Sequence, residues 1–182
     1  VQPKIETKLV SQVAGEVVSI SPNLASGGEF KQGDVLLRLD PRDYEIALAR
    51  AQANRKRMQA EKRYADGEAA RIRSLYADEL ASVAELQNIE RLQTVAQAAA
   101  DDAAAAVDRA KIDLARTVFV APYNGRVRNE DVNLGQFIPK GATMATLYDI
   151  DRLEVRLPLA DAQLAYLNPS FAQTGLADDT PA

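Results

Sequence analysis

The sequence predicts an α+β fold in which a small β body is cut in two by a long antiparallel helical hairpin. Three observations carry this. Between Arg42 and Arg116 the chain has no Pro and one Gly, Gly67, although its 182 residues include 8 Pro and 9 Gly. The same stretch holds 21 of the 32 Ala. Ala is the best helix former, and Gly and Pro are the worst. Finally, Pro, Gly and β-branched residues crowd both flanks, and the two flanks repeat each other.

The first flank reads Ala14-Gly15-Glu16-Val17, a loop, then Gly27-Gly28-Glu29-Phe30-Lys31-Gln32-Gly33 and Asp34-Val35-Leu36-Leu37-Arg38-Leu39-Asp40. The second reads Asn124-Gly125-Arg126-Val127, a loop, then Gly135-Gln136-Phe137-Ile138-Pro139-Lys140-Gly141 and Ala142-Thr143-Met144-Ala145-Thr146-Leu147. Only the loop after Gly-x-Val differs, by two residues. Val35, Leu37 and Leu39 alternate as in a half-buried strand. Gly27 with Gly33, and Gly135 with Gly141, bound short apolar segments and mark tight turns, with Gly125 a further turn glycine. Each half is too small to bury a core alone, so residues 7–41 and 117–149 are expected to fold on each other.

Within 42–116, steps of four and three pick out Tyr44, Leu48, Ala51, Arg55, Met58, Lys62, Ala65, Ala69, Ile72 and Tyr76. In a second run they pick out Leu86, Ile89, Gln93, Ala96, Ala100, Ala103, Val107, Ala110 and Leu114. That spacing is a coiled-coil seam. Ser82 with Glu85 forms a capping box that starts the second helix. The tip, 76–82, is short, so the helices must run antiparallel. Each would extend about 52 Å at 1.5 Å per residue. The first helix carries nine basic and five acidic residues, the second four and six, which agrees with pairing. Most of these charges are expected to form a solvated face. Asp40-Pro41 marks the exit from the β body, since Pro suits a first helical turn.

Composition narrows the function. The chain has no His and no Cys, and a formal charge of −4. A Ser-His-Asp triad, a thiolate nucleophile and a zinc-finger spacing are excluded. The mild acidity argues against a nucleic-acid partner. No apolar run approaches the ~18 residues of a membrane span. The chain opens at Val1 without Met or a signal pattern, so a trimmed or partial chain is expected. Asp101 and Asp102 are adjacent on a helix and point apart, which makes a poor catalytic pair. No catalytic residue, metal ligand or cofactor is expected.

The split repeat resembles the two half-motifs of biotinyl/lipoyl domains, here separated by a coiled-coil hairpin. That arrangement is similar to the periplasmic adaptors, or membrane fusion proteins, of tripartite efflux pumps. The segments that carry the likeness are Gly33 to Tyr44, with its Leu-Asp-Pro, and Ala121-Pro122-Tyr123-Asn124-Gly125-Arg126-Val127. It covers roughly residues 7–167 and implies a lipoyl-like, barrel-sandwich body. Arg71-x-x-x-Leu75 with Ser82 resembles the Arg-Leu-Ser tip of adaptors that dock on a TolC-like outer-membrane channel. Arg71 and Leu75, four apart, share a helix face; Arg73 is close enough to share the role. In any helical hairpin these could equally be an exposed Arg, a turn-stabilising Leu and a cap.

The likeness implies a non-enzymatic periplasmic subunit, associated with the inner membrane of a Gram-negative bacterium. It would link an inner-membrane transporter to the channel for efflux of drugs or small molecules. A resistance–nodulation–division transporter is the expected partner, with an ABC-type exporter or type I secretion system as the alternative. Ring self-association is also implied. A biotinyl or lipoyl carrier is a different possibility. True carriers present a modifiable Lys where their half-motifs join, whereas here the hairpin occupies that junction. Lys31 and Lys140 lie in the Gly-to-Gly loops. Residues 150–182 are expected to begin a β-barrel domain, with a strand through Leu153, Val155 and Leu157, a short helix at Ala160–Leu167 and a polar tail.

Overall fold

The structure, a computed structural model, describes residues 2–3, 6–150 and 153–154. The breaker-free block forms two helices, α1 (Arg42–Ala77) and α2 (Val83–Ala115), which pack against each other along their length. Every seam position read from the sequence is buried or half-buried except Tyr76, which is 41% exposed. There the chain leaves α1 through a tight turn. Leu75, whose carbonyl accepts the turn's Leu80 N–H, is half-buried in its place.

The fully buried members of the seam are Ala65, Ala69, Ala100, Ala103 and Val107. Ala contributes one methyl per layer, so the hairpin gains little apolar burial per turn at roughly 0.8 kcal/mol per buried CH₂. A polar layer interrupts it. Gln93 Nε2 donates to Asp66 Oδ1 at 2.7 Å, and Lys62 Nζ donates to Asp66 Oδ2 at 3.0 Å. Arg73 donates to Gln93 Oε1 at 2.7 Å. Bonds from Gln93, then Lys62, hold the Asp66 carboxyl below its ordinary pKa range. A satisfied polar layer of this kind fixes the register of two helices that small apolar layers define weakly. Among the described residues, Arg73–Glu90 is the one ion pair between the helices. The other hairpin pairs lie three or four residues apart on one helix.

Among the described residues there are ten strands in chain order. They are β1 (Gln2–Pro3), β2 (Glu6–Val10), β3 (Gly15–Ile20), β4 (Glu29–Phe30), β5 (Val35–Leu39), β6 (Val118–Val120), β7 (Gly125–Glu130), β8 (Phe137–Ile138), β9 (Thr143–Asp149) and β10 (Leu153–Glu154). Two four-stranded sheets run β2-β9-β7-β4 and β6-β5-β3-β8. Exchanging β2 with β6, β3 with β7, β4 with β8 and β5 with β9 turns one order into the other. The repeat in the sequence is therefore a pseudo-two-fold in the fold. Backbone bonds obey it as well. Gly33 N donates to Ala121 O at 2.9 Å as Gly141 N donates to Ser11 O at 2.8 Å. Ser21 N donates to Leu36 O as Asp131 N donates to Met144 O, both at 2.8 Å.

Each sheet mixes strands from both halves, which is why neither half closes alone. The core lies between the sheets, with Val17, Phe30, Leu36 and Leu39 from one half and Val127, Ile138, Met144 and Leu147 from the other. Fully burying such a side chain is worth about 1.5–3 kcal/mol. The body thus gains far more per residue than the hairpin. The loop that differs between the halves carries a 3-10 turn, Pro22–Leu24, in the first half, and it buries Leu24.

The hairpin leaves after β5 and returns before β6, and these two strands pair antiparallel. Leu39 N donates to Thr117 O at 2.8 Å across that gap. Pro41 occupies the cap position of α1 in helical conformation, and Asp40 Oδ1 accepts the Arg42 N–H at 3.0 Å. Tyr44 ties the first turn of α1 to the body by donating its hydroxyl to Ala14 O. Burial pushes the pKa of this phenol up. Of the expected third segment, Leu153–Glu154 pairs antiparallel with Gln2–Pro3. The rest of the expected strand, the helix at Ala160–Leu167 and the polar tail lie outside the described residues.

Candidate functional site: the hairpin tip

The end of α1 is a Schellman turn. Asp78 is the C-cap. Leu80 N donates to Leu75 O at 2.7 Å and Glu79 N donates to Tyr76 O at 3.1 Å. These two bonds satisfy carbonyls that the last helical turn would otherwise leave open. The position that must be left-handed falls on Glu79, with φ of 62°. Glycine normally fills it, because a Cβ there costs about 1–2 kcal/mol. Glu79→Gly should raise thermal stability by up to about 1 kcal/mol, the gain being offset by glycine's freedom in the unfolded chain. A thermal melt at the helical far-UV band checks this, and a destabilised variant would count against the strain.

Ser82 then starts α2. Its hydroxyl accepts the Glu85 N–H at 3.2 Å, and Glu85 Oε2 accepts the Ser82 N–H at 2.8 Å. The same oxygen accepts the Ser82 hydroxyl at 2.8 Å. The Ser82 bonds hold the Glu85 carboxyl below its ordinary pKa range. Ser82 thus caps α2 from within this chain, on an exposed position of the tip.

Arg71 lies near the end of α1 with its side chain 57% exposed, and it pairs with Glu68 at 2.7 Å. That contact sits on the surface, three residues apart on one helix, where solvent screens it and it adds little to stability. The guanidinium can thus be redirected to a partner at small cost. Arg73 is engaged differently. It donates to Gln93 Oε1 and, at 3.4 Å, to Glu90 Oε1. It staples α1 to α2 near the tip. Leu75 is half-buried.

Sequence reasoning passed over the most exposed apolar residue of the tip. Leu80 is 74% exposed, with Val83 at 54% and Tyr76 at 41% nearby in the chain. A signal existed: Leu80 is a large apolar residue inside a turn that has no core to face. The turn glycines behave as two groups. Gly27, Gly33, Gly135 and Gly141 have φ of 83°, 89°, 78° and 89°. Gly33 and Gly141 occupy equivalent turns of the two halves, and only glycine reaches that conformation freely. Gly125 differs. It opens β7 and has no positive φ; a Cβ there would lie 2.3 Å from Tyr148 O. Its role is close approach of two strands, so it is not a turn glycine. Lys31 and Lys140 are exposed in the turns before β5 and β9.

A split barrel-sandwich body carrying a long helical hairpin is thus in place, and known proteins share it. Residues 6–151 match the barrel-sandwich hybrid domain of RND membrane fusion proteins. The chain belongs to that family. Among relatives, it is 28% identical over 159 residues to the multidrug resistance protein MdtA of Proteus mirabilis, covering 86% of this chain and 38% of the relative. It is 32% identical over 133 residues to MdtA of Yersinia pestis, covering 73% of this chain and 30% of the relative. The chain therefore spans about a third of the length of these relatives. Among solved structures, a MacA–MexA chimera containing the Pseudomonas aeruginosa MexA α-hairpin superposes with a TM-score of 0.56 at 27% identity, covering 81% of this chain and 49% of the chimera. The membrane fusion protein Spr0693 of Streptococcus pneumoniae superposes with a TM-score of 0.65 at 18% identity, covering 92% and 69%, and shows the shared fold. Among the described residues no helix is long and apolar enough to cross a membrane.

Proposed function

We propose that this chain is the body and hairpin of a periplasmic adaptor that joins an inner-membrane transporter to a TolC-like outer-membrane channel for efflux of drugs or small molecules. The observation that carries this reading is the hairpin tip of an RND membrane fusion protein. Helices of about 50 Å separate it from the body, and it exposes Arg71 and apolar side chains that its own core cannot cover. The body sits toward the inner membrane, and the family match favours a resistance–nodulation–division transporter over an ABC-type exporter as the energised partner. The MdtA relatives support drugs as cargo. The adaptor works by contact and geometry, without catalysis. A carrier role finds no support at the junction of the halves, where α1 and α2 stand in place of a lysine turn.

The tip reading predicts that Arg71→Asp or Leu75→Asp abolishes crosslinking of the tip to a TolC-like channel while the chain stays folded, Leu75→Asp at its half-buried position lowering the melt more than Arg71→Asp at its exposed one. Arg71 can donate several hydrogen bonds to helix-end carbonyls or carboxylates of the channel, and Asp reverses its charge. Crosslinking that survives both substitutions would remove the tip assignment.

Assembly into a ring of copies is the second part of the reading. The two flanks of the seam are unlike. One is an apolar groove of about 440 Å³ lined by Tyr64, Ile89, Leu92, Val95 and Ala99, with Glu61 and Glu68 at its edge. The other is lined by Arg55, Gln59, Lys62 and Arg63 of α1, with Asp101 of α2 beside them. Glu61 on one flank and Arg55 and Arg63 on the other, at similar height along α1, suit the flank of one copy to the opposite flank of the next. Tyr64, at 74% exposure, is the largest apolar side chain there. Tyr64→Asp should shift the mass in sedimentation from assembled to monomeric species without unfolding the chain. An unchanged mass distribution would count against side-by-side hairpins.

A further inference from the structure

We propose that Tyr44 is the residue that sets the angle between the hairpin and the β body, holding α1 in place through its hydroxyl bond to the Ala14 carbonyl. The inference concerns this chain alone and needs no partner. The hairpin joins the body where the chain crosses, at Asp40-Pro41 and at Arg116-Thr117. The two crossings sit side by side, tied by Leu39 N to Thr117 O at 2.8 Å. Each residue of a crossing keeps two soft dihedrals, so a crossing fixes position better than direction. Packing adds little direction, because neither helix lies along a strand of the body.

Side-chain hydrogen bonds at the base are local, with one exception. Arg42 bonds to Asp40, two residues back in the chain. The Thr117 hydroxyl donates to Leu114 O at 2.7 Å and closes the last turn of α2. Tyr44 instead reaches 30 residues back, to the carbonyl just before β3. Among the described residues of the two helices, Tyr44 alone packs on the core of the body. On either side the base is open. A groove of about 370 Å³ is lined by Ile112 and Arg116 with Leu9 and Val10 of β2. A second, of about 400 Å³, is lined by Asp43 and Tyr44 of α1 with Glu16 and Phe137. Both leave room for the hairpin to tilt. Its length amplifies any tilt: about 10° at the base moves the end of a helix of about 50 Å by roughly 9 Å. One hydroxyl at the base therefore governs where the tip stands.

The test is the relative order of hairpin and body, read from backbone residual dipolar couplings of the weakly aligned chain. In wild type one alignment should fit both parts. Tyr44→Phe keeps the ring and removes the bond. It should lower the alignment of the body relative to the hairpin by about a tenth, the averaging of a wobble of about 20°. Tyr44→Ala, which also removes the packing on the core, should lower it further. Thr117→Val is the control. It deletes a hydroxyl bond at the other crossing, but one that stays within the end of α2, so the thermal melt should fall while a single alignment is kept. A single alignment in Tyr44→Phe would overturn the proposal, as would separate alignments already in wild type. An equal loss of order in Thr117→Val would also overturn it, since weakening the base anywhere would then free the hairpin. Should Tyr44→Ala fail to fold, Tyr44→Phe decides alone.

Discussion

Gly125→Ala should cost about 3 kcal/mol or more, in the range where the β body fails to close. The added Cβ would lie 2.3 Å from Tyr148 O, 3.0 Å from Phe30 Cζ and 3.1 Å from Tyr123 Cε2. The nearest of these is a backbone atom of β9, paired with β7 in register, so it cannot rotate away. Relief requires the two central strands of one sheet to separate. Gly15 is the internal control. It opens β3, the strand equivalent to β7 in the other half. A Cβ at Gly15 meets a side chain, and its three nearest neighbours are Leu39 Cβ at 3.3 Å, Cδ1 at 3.6 Å and Cγ at 3.9 Å. Gly15→Ala should therefore cost no more than about 1 kcal/mol. Parallel urea melts of the two variants check the contrast. Equal costs at the two positions would mean that the pseudo-two-fold extends to their packing, against the distances.

The architecture was legible because it rests on periodic and repeated features. The breaker-free block defined α1 and α2, and the 3-4 spacing placed nearly every seam residue correctly. The Gly-x-Val and Gly-to-Gly repeat became the exchange of β3, β4 and β5 with β7, β8 and β9. What stayed hidden depends on contacts across the chain. Gly125 looks like a turn glycine in a Tyr-Asn-Gly context, and only the approach of Tyr148 and Phe30 assigns it to packing. Arg73 looks like a neighbour of Arg71, but its partners Glu90 and Gln93 are on the other helix. Glu79 carries no sequence mark of a left-handed residue. Its φ is imposed by the Schellman bonds, and Gly or Asn would have announced it. Leu80 follows from the same turn: without knowing where the helix stops, its exposure cannot be read.

Phe30→Ala should lower stability by about 3–5 kcal/mol, the second large loss in the body. Phe30 is 2% exposed and lies on β4, a two-residue strand that closes one end of a sheet by pairing with the start of β7. Its ring packs against Tyr123 with centroids 6.3 Å apart and planes at 46°. The equivalent position in the other half is Ile138, a smaller side chain, so the first half provides the larger share of the core at this level. Removing the ring leaves a cavity over Gly125 that β4, pinned by Gly27 N to Val127 O at 2.8 Å, cannot easily collapse into. The two large predictions are therefore coupled. In the Phe30→Ala background one of the three close approaches to the Gly125 Cβ disappears, while Tyr148 O remains. Gly125→Ala should then cost less than in wild type, by about 0.5–1.5 kcal/mol, but should still destabilise. A double-mutant cycle from urea melts measures this. Strict additivity would place the whole penalty on the Tyr148 carbonyl and the Tyr123 ring, and full suppression would place it on the Phe30 ring.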